Sequence, residues 1–326
     1  MQSGTGICAF AHQNFARNFA FMLGRALDPK FISANSTDLL NLLQSKTASD
    51  IMLTEIIPPS EMESEVGKDH DGLIWIPVIE REQLPGAFIT GPMHEDVKNG
   101  NINKVSTLLG FNSQEWINSS EYNKTVVEEL ALFLDENLNR LINNNFKMDG
   151  NNSYIAGGKL RDIYTNGEKF QDHLGSLVKF MSDVKFTTPT IREAVLQANY
   201  SDVYLYQFSY LGPLGQFAGV IPDVDDLEVG VPHASDTRYM WSDSRNYDVY
   251  EYPITDILAH KRLLKLWNPT PEADVLLQNV IWPKVSPDNI KYLNIDTTLE
   301  VKEDPKEYKK FKEVIDTYAI PPLINY

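Results

Sequence analysis

The chain has 326 residues, of which 42% are hydrophobic and 11% aromatic, enough for a sizeable core and outside the composition of disordered proteins. Its 45 acidic and 29 basic residues leave a formal net charge of -16, a field that repels phosphate backbones and anionic lipid surfaces and argues against nucleic acid and membrane partners. The single cysteine, Cys8, excludes an internal disulfide framework and a thiolate metal cluster.

Apolar residues at helical spacing predict a helix from Cys8 to Leu27, stopped by Asp28-Pro29. A second helix follows, with Ser36 or Thr37 capping Asp38 to Leu43. The charged stretch 58–72 reads as a loop, because periodic structure resumes directly after it. Val105 to Phe111 has a strand's composition, and Lys124 to Ile142 carries Val127, Leu130, Leu134, Leu138 and Leu141 on one helical face. Glu168 to Asn199 reads as two helices broken near Thr188-Pro189. Val203 to Tyr210 is the strongest strand signal, dense in aromatic and β-branched residues. A helix near Ile254 to Trp267, short strands near Ile281 and Tyr292, and a charged helix from Pro305 complete the series. Strands separated by helices predict an α/β architecture with one sheet.

No run reaches the roughly 18 to 20 apolar residues that span a bilayer, and residues 1–27 lack the basic start and cleavage site of a signal peptide. Asn-x-Ser/Thr acceptors occur at Asn35, Asn118, Asn123, Asn151 and Asn199, more than chance supplies. They lean toward the secretory route for the full-length protein and leave cytoplasmic residence open.

Gly4-Thr-Gly6-Ile-Cys-Ala9 matches a dinucleotide-binding pattern, but no strand leads into it and Asp28 ends a helix, so a simple turn is expected. The histidines show no ligand spacing for zinc. His12, His173 and His260 are read on helices among polar neighbours, and His70 and His94 in charged loops. His233 differs, because it stands in a Gly/Pro loop just past a strongly predicted strand, a platform from which loop side chains do chemistry. Glu115 follows the other strand, where a carboxylate accepting a histidine N–H would fix its tautomer. Asp236 is a substitute for that role or a brace for the loop.

Taken together these segments resemble the type-B carboxylesterase and cholinesterase family over nearly the whole chain, in a flavour closest to insect esterases. Gln2-Ser-Gly-Thr5 is similar to the strand end that follows the family's nucleophile elbow. Gly110-Phe-Asn-Ser-Gln-Glu115 is similar to its acid loop, Tyr204-Leu-Tyr-Gln-Phe208 to a strand, and Gly230-Val-Pro-His233-Ala-Ser-Asp236 to its histidine loop. Asn268-Pro-Thr-Pro-Glu272, Trp282-Pro283 and Tyr292-Leu-Asn-Ile295 complete the ordered match.

The resemblance implies an α/β-hydrolase fold, here incomplete, with residues 1–326 as the C-terminal part of one domain. It implies a serine esterase that needs no cofactor or metal, acts on a small-molecule ester, and uses Glu115 as triad acid and His233 as general base. No Gly-x-Ser-x-Gly elbow occurs in the sequence, so this chain alone is expected to be inactive and unstable, a truncated form of a longer protein. A non-catalytic binding or adhesion protein is the alternative, and a stable half-domain with a new partner a third. Trp116 stands where the family usually has glycine, and Ser235 and Thr237 replace an acid and a leucine. Lys265 to Asn268 runs straight into the Asn-Pro-Thr-Pro segment where relatives carry a longer stretch. Phe217, Tyr239 and Trp241 are read equally as pocket wall or core.

Overall fold

The computed structural model describes residues 1–56, 74–80, 85–117, 123–143, 146–215, 219–241, 248–267, 274–305 and 307–326. These fall into two units, Ala9–Gly91 and a larger one made of Met1–Cys8 and Pro92–Tyr326.

In the smaller unit the expected first helix is shorter than its apolar spacing suggests. A 3-10 turn takes Ala9–Ala11, and α1 (Ala16–Leu27) starts only after the Gln13 side chain has accepted the Phe15 N–H at 3.1 Å. α2 (Ser36–Gln44) is capped not by Ser36 or Thr37 but by Asn35, whose side-chain oxygen takes the Thr37 N–H at 2.8 Å. The two helices meet at Gly24, where a Cβ would lie 2.6 Å from the Leu39 side chain. α3 (Ala48–Leu53) opens with a reciprocal Thr47–Asp50 capping box. The loop expected at 58–72 lies outside the described residues.

The larger unit runs α4 (Met93–Asn99), β1 (Thr107–Asn112), α5 (Lys124–Glu136), α6 (Asn152–Thr165), α7 (Leu174–Ser182), α8 (Thr188–Gln197), β2 (Val203–Phe208), α9 (Ile254–Leu266), β3 (Lys291–Ile295), β4 (Leu299–Glu303) and α10 (Tyr308–Tyr318). The described strands form one sheet in the order β1-β2-β3-β4. β1, β2 and β3 pair in parallel and β4 turns back antiparallel on β3. Gln2 makes a parallel bridge to Gly110 on the other edge of β1, so the opening residues run alongside that strand.

Both faces of this sheet are buried, as parallel strands require. Leu109, Phe111, Val203 and Leu205 pack into one apolar cluster with residues of α5, α6, α7, α8 and α10. Tyr206, Phe208, Leu293 and Ile295 pack into a second with Tyr239 and residues of α9. Gly110 faces Tyr206 across the ladder, and a Cβ on Gly110 would fall 2.1 Å from that ring. The glycine therefore makes the room in which the tyrosine lies.

The long helix expected to reach Ile142 stops at Glu136, because Asn137 leaves helical geometry and its amide donates to the Phe133 carbonyl at 2.8 Å; a 3-10 turn, Leu138–Leu141, continues the apolar face. The break expected at Thr188-Pro189 is absent. α7 and α8 run on through a π-helical turn, Asp183–Thr187, and Pro189 follows just after that wider turn. Ile281 is 68% exposed and outside any strand. The segment after it instead serves the part of β2 that β3 does not reach: Trp282 Nε1 donates to the Leu205 carbonyl at 2.9 Å and the Val285 N–H to that of Val203 at 2.8 Å.

Candidate active site

β1 ends at Asn112 and hands the chain to a turn, residues 113–116, that carries Glu115. The Glu115 side chain is fully buried. Its Oε1 accepts the Asn112 backbone N–H at 2.5 Å, a bond back to the strand end that the carboxylate itself closes. Its Oε2 lies 2.7 Å from Nδ1 of His233, which reaches it from a loop 118 residues later in the chain. The His233 ring is partly exposed while the acid is sealed. A buried carboxylate taking Nδ1–H holds the imidazole in the tautomer whose Nε2 carries a lone pair.

Hydrogen bonds zip the two loops together. Gln114 N–H donates to the Val231 carbonyl at 2.9 Å, Val231 N–H to Ser113 Oγ at 2.8 Å, and His233 N–H to the Ile117 carbonyl at 3.2 Å. The approach is close enough that a Cβ on Gly230 would lie 2.6 Å from the Gln114 Cβ. Directly after His233, Ala234 adopts φ 64°, a left-handed conformation uncommon outside glycine, and opens the 3-10 turn Ser235–Tyr239.

Asp236, on that turn, is buried, and its carboxylate is bound away from the dyad. Oδ2 accepts from Gln2 Nε2 at 2.9 Å and from the Tyr206 hydroxyl at 3.4 Å, and Oδ1 accepts from Asn112 Nδ2 at 3.2 Å. Burial first, and then the charge of Glu115, push its carboxyl above the usual range. Of the two roles open to it in the sequence, the brace is the one its bonds describe. Asn112 is the hinge of the arrangement: its N–H holds Glu115, and its amide holds both Asp236 and, at 2.9 Å, the Pro232 carbonyl. The sequence marked Asn112 only as a member of the Gly110 to Glu115 segment, with no role attached to it.

Trp116 is buried in the core, and its N–H donates to Ser182 Oγ at 3.0 Å. The Phe186 ring lies against His233, centroids 4.7 Å apart and planes inclined by 38°. Tyr239 is fully buried, its hydroxyl donating to Asp256 Oδ1 at 3.0 Å, so it belongs to the core and not to a pocket wall. Trp241 is 58% exposed against Trp267, and Phe217 lies outside the described residues.

The remaining histidines divide. His12 is buried ahead of α1 rather than on a polar helix face. His94, expected in a charged loop, is buried on α4. His173 pairs with Glu168, and that bond raises its pKa; His260 Nδ1 lies 2.7 Å from the Tyr239 carbonyl oxygen. Cys8 is buried and its thiol pushed up to about 12 by desolvation, which leaves it unreactive at neutral pH. Among the described residues no cluster of three His, Cys, Asp or Glu side chains is placed to hold a metal, and no helix is long and apolar enough to cross a membrane.

Solved structures with similar backbones cover almost all of this chain. Juvenile hormone esterase from Manduca sexta, solved with OTFP covalently attached, matches 97% of it with a TM-score of 0.67 and 19% identity. A PNB esterase matches 97% at 0.60 and 15%, and a thermophilic PNB esterase 95% at 0.57 and 12%. At these identities the likeness shows the fold, which is that of the α/β-hydrolases. The chain spans a little over half of each of those proteins, 58%, 56% and 56% of their lengths. Among curated proteins none matches. Residues 1–311 match the carboxylesterase family along the same run that holds the Glu115 and His233 loops, and the chain belongs to that family.

Proposed function

We propose that the protein of which this chain forms part hydrolyses carboxylic esters of small molecules through an acyl-enzyme. The observation that carries the reading is the 2.7 Å contact between His233 Nδ1 and a fully buried Glu115. A serine hydroxyl, from an elbow that this sequence does not contain, attacks the ester carbonyl while His233 Nε2 takes its proton. Glu115 stabilises the imidazolium so formed. His233 returns the proton to the departing alkoxide, which leaves as the alcohol. A water then attacks the acyl group by the same relay, and the serine leaves with its proton restored. His233 is the catalytic base and acid; Glu115 acts through it. Without the serine, this chain alone leaves esters intact.

We further propose that the protein travels the secretory route and carries N-linked glycans. Asn35, Asn123, Asn151 and Asn199 are exposed, which supports the reading; Asn118 lies outside the described residues. Removal of glycans with an amidase should increase gel mobility of the native protein.

The test of the esterase reading is fluorophosphonate labelling of the native protein, captured with an antibody against residues 300–326. A labelled species longer than this chain supports it. A labelled species no longer than this chain would show that the nucleophile lies within these residues. An unlabelled species would move the reading to a binding protein with an esterase fold.

A further inference from the structure

We propose that Phe186 is a positioning residue for His233, fixing the direction in which Nε2 points; the proposal rests on reading Glu115 and His233 as acid and base of one relay. The hydrogen bond to Glu115 fixes one ring atom, Nδ1, at 2.7 Å. Tethered at Cγ and bonded at Nδ1, the imidazole tilts about the line through those two atoms, and tilting sweeps Nε2 on the far side. A contact on the ring face opposes that tilt. Phe186 supplies such a contact, with centroids 4.7 Å apart and the phenyl itself buried.

The backbone is shaped for this contact. Phe186 lies in the π-helical turn Asp183–Thr187, where the Thr188 N–H donates to the Asp183 carbonyl five residues back. In an uninterrupted α-helix each residue advances by about 100°, so the extra residue of a π turn redirects the side chains that follow it by roughly that angle. The turn is anchored where it starts. Asp183 Oδ2 accepts from the Tyr164 hydroxyl at 3.1 Å, and Ser182 Oγ takes the Trp116 N–H while donating to the Val178 carbonyl, both at 3.0 Å. One helical segment thereby holds the acid loop through Ser182 and the base through Phe186. An aromatic face within about 6 Å also favours a cation, so the contact strengthens when His233 gains the proton.

The experiment is NMR of the protein with labelled histidine, following exchange of the His233 Nδ1 proton with water alongside near-ultraviolet circular dichroism. In Phe186→Leu, which keeps apolar bulk without the aromatic face, exchange should accelerate about tenfold with the fold intact, because opening of the ring becomes easier. Phe186→Tyr should restore the original rate. Equal exchange in Phe186→Leu and the unaltered protein would overturn the proposal. Glu115→Ala tests the underlying relay separately: loss of the Nδ1 signal upholds it, and persistence of that signal would remove both relay and proposal.

Discussion

The two oxygens of Glu115 have separate partners: Oε2 faces His233 Nδ1 at 2.7 Å, while Oε1 takes the Asn112 N–H at 2.5 Å. The acid is therefore aimed by its own strand as well as by the histidine loop. Its geometry depends on a bond three residues away in sequence, and the base is brought to it from 118 residues away.

If the proposed relay operates, replacing Glu115 by Ala in the full-length protein should lower kcat for ester hydrolysis by about 10⁴-fold, the scale of losing the group that orients a triad histidine. It should also leave the buried Asn112 N–H without its acceptor, at a cost of about 1–3 kcal/mol. Steady-state hydrolysis of a chromogenic ester and a urea titration read the two effects independently. A kcat within tenfold of the original would be incompatible with the assigned role.

Gly110 and Gly230 are positions where the backbone has no space for a methyl group. A Cβ on Gly110 would enter the Tyr206 ring, and one on Gly230 would meet Gln114. Either glycine-to-alanine change should destabilise the protein by about 1–3 kcal/mol through overpacking. The Gly230 change should in addition weaken the contact between Glu115 and His233, because it separates the loops that carry them. Denaturant midpoints and the His233 Nδ1 proton signal check these outcomes.

Asp256 is a buried carboxylate that accepts from the Tyr210 hydroxyl at 3.1 Å, the Tyr239 hydroxyl at 3.0 Å and the Leu214 N–H at 2.9 Å. Burial, reinforced by Asp256, raises the pKa of both tyrosines. Asp256→Ala leaves all three donors without this acceptor and should cost about 3 kcal/mol or more, whereas Tyr239→Phe removes one bond and should cost about 1 kcal/mol. Thermal unfolding of the two variants should rank them in that order.

His94 should make the protein less stable in acid. Burial first, and then the Arg192 guanidinium, lower its pKa from 6.5 to about 4. Arg192 Nε donates to its Nε2 at 3.3 Å, Glu95 lies at Nδ1, the Tyr326 ring stacks on it, and Lys98 adds a nearby positive charge. The unfolded chain takes up this proton near pH 6.5 and the folded one only near 4. The neutral ring thus contributes stability that is fully present above about pH 6.5 and lost as pH falls to about 4, about 3 kcal/mol in all. Urea midpoints at pH 7, 5.5 and 4.5 should converge between the unaltered protein and His94→Gln. A constant gap across that range would mean that His94 does not titrate with folding.

Much of the larger unit was legible because its signals are local. Val203–Phe208 and Thr107–Asn112 are strands within two residues of where composition put them, α9 begins at Ile254 as its pattern does, and α10 begins at Tyr308, three residues after the expected Pro305. α6 was not among the expected elements, and its interior holds Gly157-Gly158. The reason for Gly157 is tertiary: a Cβ there would lie 1.8 Å from the Leu138 carbonyl oxygen. β4 was hidden in the same way, because the charges of Glu300 and Lys302 that suit an edge strand blur the apolar alternation.

The sequence by itself pointed to the α/β class, to the family through an ordered series of segments that resemble it, and to Glu115 and His233 as candidates, because strand composition, loop glycines and segment order are written along the chain. Only the tertiary structure decided how those residues are held. Asn112 as hinge, Asp236 as brace, the π turn that presents Phe186 and the burial of His94 all depend on contacts between segments far apart in the chain. A lone polar residue in a sequence carries no mark of which distant carbonyl, carboxylate or ring will face it, and that pairing sets its charge, its orientation and its use.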